Sequence, residues 1–172
     1  MEKIAYLISS YNNTQNLIKF TDQKIGALLV VCGIEASIYF ENSKNFVLSC
    51  SNIGVWNWLM FIVGAVFVGL TVYVLYVGLI KVIRPRFAKH YSRDAYSIFY
   101  FEHIAVNDIS VLRKSIDNIS ESIMIEEITG QIYEVSKIIN NKNRNCAAIV
   151  KVLFASILLL SAYMLILKVL ST

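Results

Sequence analysis

A single proline and seven glycines in 172 residues leave little material for long disordered linkers. Charge is also scarce. Asp, Glu, Lys and Arg make up 16% of the chain, against about 25% in an ordinary soluble domain, too few to coat a globular surface. The three cysteines, Cys32, Cys50 and Cys146, lie far apart with no CxxC and no histidine at ligand spacing. That excludes the usual zinc patterns and a disulfide framework, and the thiols are read as structural. His90 and His103 have no Cys or carboxylate cluster near them, and no HExxH occurs. There is no glycine-rich phosphate loop, no GKS/T and no GxSxG elbow. Glu126 and Glu127 are adjacent, so they point to different sides of a helix. No catalytic residue, metal or cofactor is therefore expected, and the chain is not read as an enzyme. The opening MEKIAYLISSYNNTQNLIKF has no continuous apolar run followed by a small-residue cleavage site, so no removable signal peptide is expected.

What the chain has in excess is apolar surface. Hydrophobic residues make up 56% of it, and its mean hydropathy is +0.57. Ten tyrosines and nine phenylalanines suit helices that end at a lipid–water interface. The clearest span is 55–81. Its first 26 residues, 55–80, carry no charge. At 1.5 Å per residue they extend about 39 Å, enough to cross a ~30 Å hydrocarbon core with some tilt. Trp56 and Trp58 anchor one end, Lys81, Arg84 and Arg86 the other, and Pro85 marks the helix exit.

A second span is expected at 147–170, whose core, 152–167, is uncharged between Lys151 and Lys168; both lysines can snorkel to the interface. The remaining candidate, 25–42, is interrupted by Glu35 and gains adequate length when extended back to Leu17, past Asp22 and Lys24. A charge near mid-membrane costs roughly 2.5–3.5 kcal/mol on insertion scales, so Glu35 is expected to face protein or water as an intramembrane polar residue. A re-entrant or interfacial helix is the alternative for this segment.

Lys and Arg set the orientation. The loop 41–54 carries one, Lys44, whereas Arg84, Arg86, Lys89, Arg93, Arg113, Lys114, Lys137, Lys142 and Arg144 fall between the second and third spans, and Lys3, Lys19 and Lys24 precede the first. Cationic residues are retained on the cytoplasmic side. The expected fold class is thus an all-α membrane protein, three transmembrane helices extended by a cytoplasmic helical bundle. A cytoplasmic N-terminal helix covers 1–24, spans cover 25–42, 55–81 and 147–170, and a cytoplasmic helical region covers 84–146.

The cytoplasmic part reads as helix. Ile98, Phe101, Ala105, Ile109, Leu112 and Ile116 recur at helical spacing, and so do Ile125, Ile128, Ile132, Val135 and Ile139. The latter run continues without a breaker into the last span. Ile4, Leu7, Tyr11 and Ile18 lead into the first in the same manner. All three spans are expected to extend as helices into the cytoplasm and to pack with these stripes as core. Gly64, Ala65 and Gly69 permit close helix approach on the second span and favour a homo-oligomer. The stretch RPRFAKHYSRDAYSIFYFEHIA sets Arg84, Arg86, Lys89 and Arg93 among Phe87, Tyr91, Tyr96 and Tyr100. Arg and Lys hold phosphate and aromatics stack on a base; equally, basic and aromatic residues beside a span are what topology requires.

FTDQKIGALLVVCG (20–33), RPRF (84–87), SIFYFEHIA (97–105) and QIYEVSKIINNKNR (131–144) occur in an order that resembles the transmembrane effectors of Pycsar systems, bacterial cyclic-pyrimidine defences against phage. The resemblance covers roughly residues 17 to 165. It implies an inner-membrane effector that responds to cyclic CMP or cyclic UMP made by a partner nucleotidyl cyclase, without stable binding to that enzyme. The response would impair the membrane and kill the infected cell before phage release. Under it, Arg84, Arg86, Lys89 and Arg93 are the candidate phosphate contacts, Tyr96 or Tyr100 the candidate stacking partner, and Asp22 and Lys24 a structural pair. DNA or RNA is not an expected partner. The alternatives are a nucleotide-independent structural subunit or holin-like toxin, a membrane module that recruits a soluble enzyme, and a two-span effector of another nucleotide-linked conflict system.

Overall fold

The computed structural model describes residues 2–43, 54–84 and 101–171. Helix α1 runs unbroken over Glu2–Ser43. Its small polar side chains are satisfied within the helix: Thr14, Thr21, Ser37 and Asn42 each donate to a carbonyl one turn back. A polar residue can therefore sit in this helix without demanding an outside partner.

Helix α2, Val55–Tyr76, starts where Gly54 turns from extended backbone and its carbonyl accepts from the Asn57 amide at 3.0 Å. It continues as a π-helical segment over Val77–Ile83. The last bond of that segment, Arg84 N–H to the Leu79 carbonyl at 3.1 Å, spans five residues. Arg84 then leaves the helix with φ −53° and ψ 129°, the extended conformation that a following proline imposes. Two short helices follow, α3 over Phe101–Val106 and α4 over Ile109–Asp117. The final helix, α5, covers Glu121–Ser171, and the Ser120 hydroxyl caps it by accepting from the Ile123 amide at 3.3 Å. Among the described residues there is no strand.

Among the described residues three helices are long and apolar enough to cross a membrane: Glu2–Ser43, Val55–Ile83 and Glu121–Lys168. Two expected features are corrected. Of the apolar stripe Ile98–Ile116, Ile98 lies outside the described residues and the rest does not form one helix, because Asp108 stops it and caps α4, accepting from the Ser110 amide at 3.2 Å. Ile109 and Ile116 are exposed, and no residue of α4 is buried, so this part of the stripe is not core. Nor does the second span extend as helix through the last described residue: Arg84 has already left it ahead of Pro85, the exit that the sequence marks.

The chain divides into two compact units. In the first, Met1–Thr21 with Pro85–Asn141, α5 buries Ile128, Val135 and Ile139 at helical spacing. The face of α1 bearing Ile4, Leu7, Tyr11 and Ile18 is half-buried. A cleft of about 390 Å³ lies between Glu2, Lys3, Tyr6 and Leu7 of α1 and Ile125 and Thr129 of α5. Gln131 and Glu134 are buried on α5, each with one polar atom lacking a hydrogen bond.

The second unit, Asp22–Arg84 with Lys142–Thr172, contains the apolar spans. Ile25 and Cys32 of α1, Val74 of α2, Val77 and Val82 of the π segment, and Ile149 and Leu153 of α5 form its core. Its exterior is equally apolar: Val30, Ile34, Ile62, Val66, Phe154 and Leu165 are all exposed. A soluble protein does not present so much contiguous apolar surface. Here the surface matches hydrocarbon, while the long helices keep their backbone polar groups satisfied internally.

Candidate functional site

Three polar side chains of the second unit are buried inside it: Glu35, Lys142 and Ser156. About three turns of α1 place Cys32, Glu35, Tyr39 and Ser43 on one face, at spacings of three and four residues. On α5, Ile149, Leu153, Ser156, Leu160 and Tyr163 follow the same rhythm. The two faces meet at Glu35, which is 5% exposed. Its Oε2 accepts from the Ser156 hydroxyl at 2.6 Å. The same hydroxyl lies 2.8 Å from the Leu153 carbonyl, so its one proton serves two acceptors. Glu35 Oε1 has no hydrogen-bond partner.

One turn further along α1, Tyr39 packs between Phe67 of α2, at 4.9 Å between ring centroids, and Tyr163 of α5, at 5.0 Å. Beyond these rings a cleft of about 340 Å³ reaches Ser43 and is walled by Met60 and Phe61. In the opposite direction the apolar core closes over Glu35. Past the core, Lys142 of α5 donates to Asp22 of α1 at 2.6 Å, with the lysine side chain 5% and the aspartate 36% exposed. Asp22, expected to act structurally near this end of the first span, is met by Lys142 from α5.

Glycine lets these helices approach. A Cβ at Gly64 would collide with the Tyr39 hydroxyl, and one at Gly78 would lie 3.0 Å from Leu29 Cδ2. Gly64 is thus occupied within the chain, whereas Ala65 and Gly69 remain on the exposed face of α2. Tyr39 packs between two rings, which restricts how far its hydroxyl can yield. Gly64→Ala is expected to destabilise the protein by about 1–3 kcal/mol, measured by unfolding in detergent. Adding Tyr39→Phe, which deletes the clashing oxygen, should recover most of the loss. Gly69→Ala, with open space around it, should be near neutral.

Of the candidate nucleotide-binding residues, Arg84 is exposed at the end of the π segment. Arg86, Lys89, Arg93, Tyr96 and Tyr100 lie outside the described residues. Lys81 and Lys137 stack over aromatic rings, Tyr76 at 5.8 Å and Tyr133 at 4.3 Å. Cys32 and Cys146 are free thiols. Among the described residues no group of three His, Cys, Asp or Glu side chains is arranged to hold a metal. Reading along the chain missed Ser156, the Asp22–Lys142 pair and the π segment. The first two are side chains about 120 residues distant from their partners, and no local pattern links them.

Comparison with known proteins supplies what this geometry leaves open. The chain is 44% identical over 81 residues to the Pycsar effector protein TpPycTM of Treponema porcinum, a match covering 47% of this chain and 70% of that protein. No solved structure matches. The family profile described as Pycsar effector protein domain matches residues 6–168. With three helices able to span a bilayer and a profile match over nearly its whole length, this chain belongs to the Pycsar effector family and is a membrane effector of antiviral defence.

Proposed function

We propose that this protein is switched on by a cyclic pyrimidine mononucleotide, cyclic CMP or cyclic UMP, and then impairs the inner membrane so that an infected cell dies before phage release. The observation that carries the reading is the family match over residues 6–168 on a chain with three apolar helices. The effector acts as a homo-oligomer. It depends on a nucleotidyl cyclase for its signal and itself catalyses no reaction. Its N-terminus and residues 84–146 face the cytoplasm, where the nucleotide is made.

The segment after the second span suits such a ligand chemically. Arg84, Arg86, Lys89 and Arg93 supply charge-assisted donors for one phosphodiester, and Tyr96 or Tyr100 supplies a face for the base. Arg84 follows directly on the π segment whose Val77 and Val82 belong to the core of the second unit. π-helical turns carry one residue more than the α-helix requires and often mark functional sites. A ligand pulling on Arg84 therefore acts on residues that seal the spans. To move a population from 1:99 to 99:1, it must prefer the open arrangement by about 5.5 kcal/mol.

The test is membrane potential in cells expressing the chain, followed with a potential-sensitive dye while each cyclic mononucleotide is supplied. Depolarisation is expected with cyclic CMP or cyclic UMP and not with cyclic AMP or cyclic GMP. Depolarisation that tracks expression level alone would mark a holin-like toxin.

A further inference from the structure

The second unit holds a carboxylate that its fold does not need. Glu35 is buried among apolar residues in a helix long enough to span a membrane, and one of its two oxygens has no partner. A leucine there would pack against the same neighbours without the desolvation that an intramembrane acid carries. Ser156, the side chain that does meet it, is 1% exposed and supplies a second oxygen at 2.6 Å. The Tyr39 ring follows about 6 Å along the helix axis, with Tyr163 packed against it. The cleft of about 340 Å³ begins at these rings and runs to Ser43 at the end of α1. That volume far exceeds the ~10–15 Å³ one water requires. On the other side of Glu35, Cys32, Val74, Ile149 and Leu153 close the interior.

We infer that Glu35 is the cation-coordinating point of a conduction path through the spans, sealed in this state by the apolar core between it and the Asp22–Lys142 pair. The inference rests on the membrane-impairing reading above and specifies it: the lesion passes small monovalent cations rather than acting as general disruption. The donor set is chemically apt. A carboxylate oxygen with no partner and a serine hydroxyl are hard oxygen ligands, which suit alkali cations. A water-accommodating cleft lies one turn away and stops at the Tyr39 and Tyr163 rings, which must part before a hydrated cation reaches Glu35. Acidic side chains lining a pore select for cations by the same electrostatics.

The experiment is a planar-bilayer recording of the full-length protein under a KCl gradient, with cyclic CMP and then cyclic UMP added to both chambers. The native chain should give a nucleotide-evoked current reversing toward the potassium equilibrium potential. Glu35→Gln keeps the shape and removes the charge. Its potassium-to-chloride permeability ratio should fall by a factor of about five or more, the least that one unit charge at ~4 Å confers in water. An unchanged ratio in Glu35→Gln overturns the assignment while leaving the membrane-impairing reading intact. Absence of current from the native chain with either nucleotide overturns that reading and the inference with it. Should Glu35→Gln be silent, Glu35→Asp decides: cation-selective current supports the assignment, and silence or unselective current overturns it.

Discussion

Replacing Arg84 and Arg86 together with alanine should weaken binding of cyclic CMP or cyclic UMP at least about 100-fold, since each guanidinium–phosphate contact is worth about 1.5–3 kcal/mol. Titration calorimetry on detergent-solubilised protein reads this directly. Lysine at both positions should restore part of the affinity, because it keeps the charge but loses the bidentate fork. Loss of binding without change in the unfolding temperature would locate the effect at a ligand site. Arg84 is exposed at the end of a helix, so neither substitution at that position disturbs a packed interior. Affinity equal to that of the native chain would remove this segment from the site and leave the basic residues with topology alone.

The second large effect belongs to the Asp22–Lys142 pair. Lys142 is buried to 5% exposure and Asp22 is its counter-charge at 2.6 Å. Asp22→Ala strands the ammonium, and breaking a buried pair from one side costs about 3–5 kcal/mol. Asp22 is 36% exposed, which admits water and moves the expected loss to about 3 kcal/mol. Asp22→Asn should be milder, because the amide oxygen still accepts a hydrogen bond. Removing both partners, as Asp22→Leu with Lys142→Met, should recover most of the stability. A double variant as unstable as Asp22→Ala alone would show that the pair does not act as a unit.

The spans were legible because lipid imposes so simple a demand: about 20 apolar residues and a satisfied backbone. The 26 uncharged residues 55–80 meet it without ambiguity, and the burial of Ile128, Val135 and Ile139 followed from their spacing. The stripe from Ile98 to Ile116 misled because periodicity cannot register a cap. Asp108 offers its carboxylate to the Ser110 amide and restarts the helix, which a count of apolar positions passes over. At the candidate site, Glu35 was readable as an acid that hydrocarbon would reject. Its partner was not, because serine is common in membrane helices and usually bonds its own backbone, as Ser161 does to Ile157. The π segment left no trace in VGLIKVI, whose apolar run reads as ordinary helix.

Side of the membrane is the most direct test of the whole account, because a cytoplasmic nucleotide can reach Arg84–Arg86 only if the region between the second and third spans lies inside the cell. Fusions at residue 120 to a reporter active only in the periplasm, and separately to one that folds only in the cytoplasm, answer it. Matching fusions within the 41–54 loop serve as the opposite control. Cytoplasmic signal is expected at residue 120 and periplasmic signal in the loop. Periplasmic signal at residue 120 would contradict it, whatever the nucleotide does to the cell.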